Sequence, residues 1–468
     1  MMPFTMVFTT LVAMLSAQGP SGLAGRWEGA IDISSATLPF SVTFTDAAGG
    51  LSATIDIQGA KGLPLKSTTY TAAEKKIHFE LPAGPGAAIF DGTFDGATIR
   101  GTFTQGPADG TFTLARADAS KPAAPPKEAV PYKEEEVTFK NGDITLAGTL
   151  TIPEGRGPFP AFVMVTGSGL QNRDEEILGF KIFRVIADYM TRHGIATLRY
   201  DDRGGGGSSG SIATATTEDF AGDALAGVAL LAGRAEIDHA HIGVFGHSEG
   251  GAVAAIAAAK SPQSVGFIIM MAGAAVDGAT VMRQQAEDSA RAMGATDPQV
   301  ARILAAHKKA LDAVVANAPV AVLSDDVREL IAAQLEGRPA SAQPAGDMQA
   351  LVNQMLPGAV ASMNNSWLRY FLTMNPATFI ARVKCPAYVA FGAKDTQVPP
   401  SLHKAPLEAA FAKGGNTHVS VKVYPDANHL FITAHTGEVS EYATLPKVFV
   451  PDFLDDIVRF VTSVSGTK

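Results

Sequence analysis

The sequence predicts an α/β fold: a mostly parallel sheet with helices on both faces, a long helical insertion, and a small all-β domain in front. Three observations predict it. From residue 134 onward, apolar runs of strand length alternate with helical segments, the pattern of a parallel sheet buried on both faces. Over a hundred residues separate the run ending at Met271 from the run starting at Ala387, where a crossover needs about a dozen. Residues 23–117 instead show short alternating runs between turns, which read as a small antiparallel barrel or sandwich.

Taken in order, the chain opens with an apolar segment, Met1 to Ala17, ending in Leu15-Ser16-Ala17-Gln18. This reads as a secretory leader over residues 1–22, although no Lys or Arg precedes Arg26. The expected location is therefore periplasmic or extracellular. In the β domain, Phe40 to Phe44, Ser52 to Ile57 and Thr98 to Phe103 alternate, and His78 is read as a strand-surface residue. Residues 118–133, with Pro122, Pro125, Pro126 and Pro131, form a semi-rigid linker.

The domain 134–468 begins with two runs flanking Asn141-Gly142, a hairpin signal. Strand runs follow at Ala161 to Val165, Ala196 to Tyr200, His241 to Phe245, Gly266 to Met271, Ala387 to Phe391 and Val419 to Tyr424. Between them, Phe220, Ala224, Leu225, Val228 and Leu231 fall on one helical face behind a cap from Thr216 or Thr217. The insertion, 276–381, is expected to form a lid at the carboxyl edge of the sheet. Met355, Met363, Trp367 and Phe371 are its candidates to face a substrate, most of them being the lid's own core.

Composition excludes several classes. A net charge of −9 and a pI near 5.6 argue against a nucleic-acid partner. No later segment offers a charge-free apolar run long enough to cross a membrane. The single cysteine, Cys385, cannot form an intrachain disulfide and reads as a buried thiol. No metal-ligand cluster and no cofactor is expected.

The chemistry centres on Gly246-His247-Ser248-Glu249-Gly250, between the run Ile242 to Phe245 and an alanine-rich helical stretch. Flanking glycines let the backbone turn sharply enough to lift the serine hydroxyl above the sheet. Serine needs a base within reach, itself oriented by an acid. Asp395 follows the penultimate strand run and His429 the last, so all three residues reach one edge. Asp426, read as a local Asx-turn residue, is the nearest competitor for the acid. His247 is expected to face away. The oxyanion would take the backbone N–H groups of Glu249 and Ser168, although Gly167-Ser168-Gly169 also reads as a plain turn.

Two glycine-rich matches are set aside. Gly206-Gly207-Ser208-Ser209-Gly210 repeats the serine pattern in a loop with no helix directly behind it. Gly205 to Gly210 also matches a dinucleotide fingerprint, but Ser211 to Thr216 separate it from the next helix. It reads as a tight loop beside the serine turn, with Arg203 paired to Glu249.

The strings Thr166 to Glu175, Arg199-Tyr200-Asp201-Asp202-Arg203-Gly204 and Gly246 to Gly251 resemble bacterial α/β-hydrolase carboxylesterases of the group related to dienelactone hydrolases and prolyl oligopeptidases. The resemblance spans roughly 134–464 and implies an α/β-hydrolase fold and a serine carboxylesterase acting through an acyl-enzyme. Ser248 stands where dienelactone hydrolases have cysteine, and no β-propeller precedes the domain, which counts against both of those activities. Trp367, in Trp367 to Phe371, resembles the lid exit of that group and is the expected substrate-binding residue. The expected partner is a small-molecule ester, with a homodimer left open. A peptidase or thioesterase with the same triad, or a non-catalytic ligand-binding fold, are the rival readings.

Overall fold

Residues 22–466 of the computed structural model are described, except 34–35, 48–49, 58–59, 82–86, 106–107, 118–129, 340–342 and 344–345. The predicted leader and most of the linker lie outside the described residues.

The first sheet contains β1 (Gly25–Ile33), β2 (Ala36–Ala47), β3 (Gly50–Ile57), β4 (Ala60–Pro64), β5 (Lys66–Thr71), β6 (Lys76–Leu81), β7 (Ala88–Phe94), β8 (Thr98–Gln105) and β9 (Ala108–Arg116). All pairings are antiparallel, in the order β4-β3-β2-β1-β9-β8-β7-β6-β5. β4 and β5 stand at opposite ends of that order, yet only Leu65 separates them in sequence. The two edges must therefore meet, and the Leu65 N–H donates to Ala53 O in β3 at 2.9 Å where β4 runs on into β5. The sheet closes into a barrel, which leaves no long unpaired edge. Alternation puts Trp27, Phe44, Phe79, Phe90 and Phe112 inside, and Phe79 stacks on Phe90 at 4.7 Å. His78 lies on the barrel wall between Asp91 and Glu80, as a strand-surface residue should.

The second sheet has eight strands. β10 (Tyr132–Asn141) and β11 (Ile144–Pro153) form the hairpin around Asn141-Gly142. β12 (Phe159–Val165) is followed by a short hairpin, β13 (Glu176–Ile177) and β14 (Phe180–Lys181), outside the main sheet. β15 (Ala196–Tyr200), β16 (Ile237–His247), β17 (Phe267–Met271), β18 (Ala387–Gly392) and β19 (Val419–Tyr424) complete it. The order β10-β11-β15-β12-β16-β17-β18-β19 makes β11 the one strand running against the rest. The loops after β12, β16, β18 and β19 consequently converge on a single edge.

Helices α1 (Ile182–Arg192), α2 (Thr217–Ala232), α3 (Glu249–Lys260), α10 (Pro400–Lys413) and α11 (Phe453–Ser465) accompany this sheet. Ala252 to Ala259 are all buried, because methyl side chains let α3 lie close against the strands. Thr216 and Asp219 form a reciprocal capping box at the start of α2. The face α2 buries is Ala221, Ala224, Val228 and Leu231, with Phe220 and Leu225 half-buried at its margin rather than in its centre.

Between β17 and β18 lie α4 (Gly278–Ala292), α5 (Asp297–Val315), α6 (Val320–Glu336), α7 (Met348–Met363), α8 (Ser366–Thr373) and α9 (Pro376–Ile380). Helix α9 packs into the core of the second sheet through Ile380, while α4 to α8 share a core of their own around Val300, Ile303, Leu311, Val327, Leu330 and Leu368. Met355 and Met363 pack on that core, while Trp367 and Phe371 also reach the cavity described next.

Candidate active site

β16 leads directly into Ser248, which adopts φ 54° and ψ −117° before α3 begins. A positive φ is strained for a non-glycine residue, by about 1–3 kcal/mol, and persists only where the surroundings enforce it. Here they do. A Cβ on Gly246 would lie 1.8 Å from Gly250 O, and one on Gly250 would lie 2.2 Å from Val165 O. Gly246 is therefore required for the turn to fold back on the start of α3, and Gly250 for it to fit against β12. The Ser248 N–H donates to Met271 O at 2.8 Å, which ties the turn to the neighbouring strand. The start of α3 behind it presents unpaired N–H groups and a partial positive charge, favourable to a developing anion.

Asp395 and His429 meet across the same edge. His429 Nδ1 donates to Asp395 Oδ2 at 2.8 Å, which leaves Nε2 for other work. Asp395 Oδ1 accepts from the backbone N–H groups of Gln397 (2.8 Å) and Val398 (2.9 Å). Burial alone would raise the pKa of this carboxyl, but His429 and the two amides outweigh it and hold it below the usual carboxylate range. Among the described residues no hydrogen bond joins Ser248 to His429, though both face one cavity of about 540 Å³. Such contacts commonly tighten only when substrate is bound.

Asp426 takes no part. Its carboxylate pairs with Lys394 at 3.3 Å, so it is an ion-pair partner rather than the Asx-turn residue expected. Cys385 is half-buried, and burial pushes its thiol up to about 12, an inert group. His403, which the sequence did not single out, is fully buried, accepts from the Ala275 N–H at 3.0 Å, and is pushed down to about 4 by burial.

The loop after β12 is gripped by two buried carboxylates, Glu175 and Glu249, and a half-buried one, Asp202. Asp202 accepts from Thr166 Oγ1 and from Gln171 N–H, each at 2.8 Å. Glu175 accepts from Gly167 N–H at 2.7 Å. Glu249 accepts from Thr217 Oγ1 at 2.7 Å, from Trp367 Nε1 at 2.8 Å and from the Ser168 hydroxyl. Because Glu175 takes the Gly167 N–H, that amide is not free for substrate, and Ser168 is the next one along. A Cβ on Gly167 would come within 3.2 Å of Ser248 Cβ, so only a glycine fits comfortably there. Burial raises Glu249, and burial raises Asp202 to about 8.

The expected Arg203–Glu249 pair does not form. Arg203 pairs with Asp223, with Nη2 to Oδ1 at 2.9 Å, while the Glu249 carboxylate is filled by the hydroxyl and indole donors just named. The Gly205–Gly210 loop lies over β11 rather than the serine turn. Ser208 Oγ accepts from Ala147 N–H, and Ser209 N–H donates to Thr145 O. Ser208 also donates to Asp201 O, so it is a structural hydroxyl.

The cavity walls are mainly apolar: Val276, Val281, Met282, Phe371, Met374 and Leu430, with Trp367 stacked on Phe371 at 5.2 Å. His247 and Glu175 line its floor. No role for Glu175 is legible from spacing or motif, and His247 is expected from the sequence only to face away from the base position.

A family profile described as serine aminopeptidase, S33 (Hydrolase_4) matches residues 180–434. The esterase EstD of Thermotoga maritima is 26% identical over 348 residues, covering 73% of this chain and 72% of that protein. Among solved structures, an esterase of Pyrococcus furiosus, PF2001, is 15% identical with a TM-score of 0.43, covering 74% of this chain and 96% of its own. Proline iminopeptidase of Mycobacterium smegmatis is 18% identical with a TM-score of 0.41, covering 70% and 98%. The match to the family profile spans more than half of the sequence, and the chain belongs to the Hydrolase_4 family of α/β hydrolases.

Proposed function

We propose that this protein is a serine esterase that cleaves uncharged carboxylic esters of small to medium size. The observation that carries the reading is the Asp395–His429 hydrogen bond at the rim of an apolar cavity that also holds the strained Ser248. In the proposed reaction Ser248 Oγ attacks the ester carbonyl carbon and its proton passes to His429 Nε2. Asp395 fixes the ring and offsets its positive charge. The N–H groups of Glu249 and Ser168 hold the oxyanion. Collapse expels the alcohol, which takes the proton from His429, and water then releases the acid by the same route.

EstD's description as an esterase supports this choice over the peptidase that the family description names. So does the cavity's chemistry. An aminopeptidase needs an anion to hold the substrate ammonium. The two carboxylates facing the cavity, Glu175 and Glu249, already serve Gly167, His247, Thr217 and Trp367. The remaining Glu175 oxygen is sealed from solvent. Among the described residues no Lys or Arg lines the cavity either, which disfavours acyl groups bearing a carboxylate. The leader-like residues 1–17 extend the proposal to an exported enzyme.

A fluorophosphonate probe, followed by peptide mapping and a p-nitrophenyl ester series run beside amide and thioester analogues, tests the reading. The proposal expects the adduct on Ser248 and ester turnover well above amide turnover. Faster amide cleavage would move the protein to the peptidases.

A further inference from the structure

Under the Ser248 turn a second acid–histidine pair stands back to back with the first. Glu175 and His247 are each 1% exposed. Glu175 Oε1 accepts from both Gly167 N–H (2.7 Å) and His247 Nδ1 (2.9 Å). His247 Nε2 donates to the main-chain carbonyl of His429 at 3.0 Å, and the two imidazole centroids are 4.8 Å apart. An unbroken chain thus runs from Gly167 through Glu175 and His247 to His429. It joins the loop carrying the Ser168 N–H to the loop carrying the proposed base.

The protonation follows from geometry. Both ring nitrogens of His247 face acceptors, a carboxylate oxygen and a carbonyl oxygen, so the ring needs a proton on each. An imidazolium against the Glu175 carboxylate supplies them and leaves the buried pair neutral overall. Burial pushes His247 down, but the adjoining carboxylate and the His429 carbonyl prevail and raise it. Glu175 itself is held at φ 45°, a left-handed conformation that a loop adopts when its side chain is pinned.

We infer that Glu175 and His247 are positioning residues, which fix the Ser168 amide and the His429 ring relative to Ser248 during ester hydrolysis. The inference rests on the esterase reading above. The spacing leaves little slack, since the Cβ position of Gly167 is 3.2 Å from Ser248 Cβ. A shift of the loop is therefore felt at the nucleophile, and misplacement near 1 Å costs about a hundredfold in rate.

Glu175→Gln is the informative variant because, without the carboxylate charge, the His247 ring is neutral and carries a single proton, so the three hydrogen bonds of the chain cannot all be kept. With its oxygen at the shared position, Gly167 keeps its acceptor, but the His247 ring becomes neutral and Nε2 faces the His429 carbonyl without a proton. With its nitrogen there, the link to His429 survives and Gly167 faces a donor. One end of the chain must break.

The experiment measures kcat and KM on a short p-nitrophenyl ester, with working sites counted by fluorophosphonate titration. Glu175→Gln should lower kcat per titrated site by about 10- to 100-fold with KM within about threefold, and Glu175→Ala should lower it further. A purely structural role would instead reduce the number of titrating sites and leave kcat per site intact. Turnover per site within twofold of wild type overturns the inference. If Glu175→Gln does not accumulate folded, ring-¹⁵N spectra of the wild-type protein decide. A buried, exchange-protected histidine carrying both ring protons at pH 8 is expected, and its absence overturns the inference. Wild type and Ser248→Ala are run alongside. Ester turnover that survives Ser248→Ala sinks the esterase mechanism and this inference together. An active wild type, a dead Ser248→Ala and a fully active Glu175→Gln sink the inference alone.

Discussion

The indole N–H of Trp367, in the helical insertion, donates to Glu249 Oε1 at 2.8 Å, although 118 positions separate the two residues. Glu249 follows Ser248 directly, so the insertion is fastened to the serine turn itself. A second bond, from Tyr370 Oη to Glu218 Oε2 at 3.1 Å, ties α8 to α2 nearby. The insertion therefore sits over the cavity by specific polar contacts as well as apolar packing.

Trp367 should consequently act on both specificity and stability. Trp367→Ala removes a cavity wall and should shift chain-length preference toward longer acyl groups, read from kcat/KM across a p-nitrophenyl ester series. Trp367→Phe keeps the stacking surface against Phe371 but leaves Glu249 one donor short, at a cost of about 1–3 kcal/mol of stability. An unchanged preference in Trp367→Ala together with a lowered Tm would place the residue in the lid core only.

Asp202 predicts how stability varies with pH. Its folded carboxyl titrates near about 8, raised chiefly by burial, while the unfolded chain has the ordinary value near 4. Between those values the folded state holds a proton that the unfolded state has lost. Stability must therefore fall as pH rises across that window, by up to about 1.4 kcal/mol per pH unit, and level off above it. Melting curves of wild type and Asp202→Asn from pH 5 to 8 should diverge, with the variant losing less. Parallel curves would show that Asp202 is already ionised.

Arg203→Ala should unfold the protein more readily without touching the chemistry. Removing the guanidinium leaves the Asp223 carboxylate, whose side chain is only 2% exposed, with Asn141 Nδ2 but no cation, and a broken buried pair costs about 3 kcal/mol. Turnover per titrated site should stay within about twofold. A loss of turnover beyond tenfold would reinstate a link between Arg203 and the serine turn.

The β-barrel holds none of the proposed catalytic groups, and its aromatic core is separate from that of the second sheet. A chain starting at Val130 should keep turnover on a small soluble ester within about tenfold. The cut belongs before Tyr132, because Tyr132 Oη donates to Asp188 Oδ1 at 2.7 Å and secures β10. A fully titrating truncated protein with turnover down a hundredfold would mean that the barrel helps to build the site.

Much of the fold could be read from the chain because strand identity rests on local periodicity. Ala196–Tyr200 and Val419–Tyr424 coincide with their apolar runs, and Asn141-Gly142 marks its hairpin. Placing Asp395 and His429 at one edge needed only strand order. The remainder depends on long-range partners that no spacing encodes. Arg203 could reach either Glu249 or Asp223, and only the packing of α2 selects Asp223. Glu175 stood within a recognised string but gained a role only when the fold brought it to His247, 72 positions away. Asp202 looks like any loop aspartate until its burial is seen.

The steady-state turnover of Ser248→Ala on a short p-nitrophenyl ester tests the central claim most directly. If Ser248, His429 and Asp395 act as one unit, turnover should fall by about three to six orders of magnitude, and adding His429→Ala should cost little more. Turnover within tenfold of wild type, from protein as stable as wild type, would contradict the account.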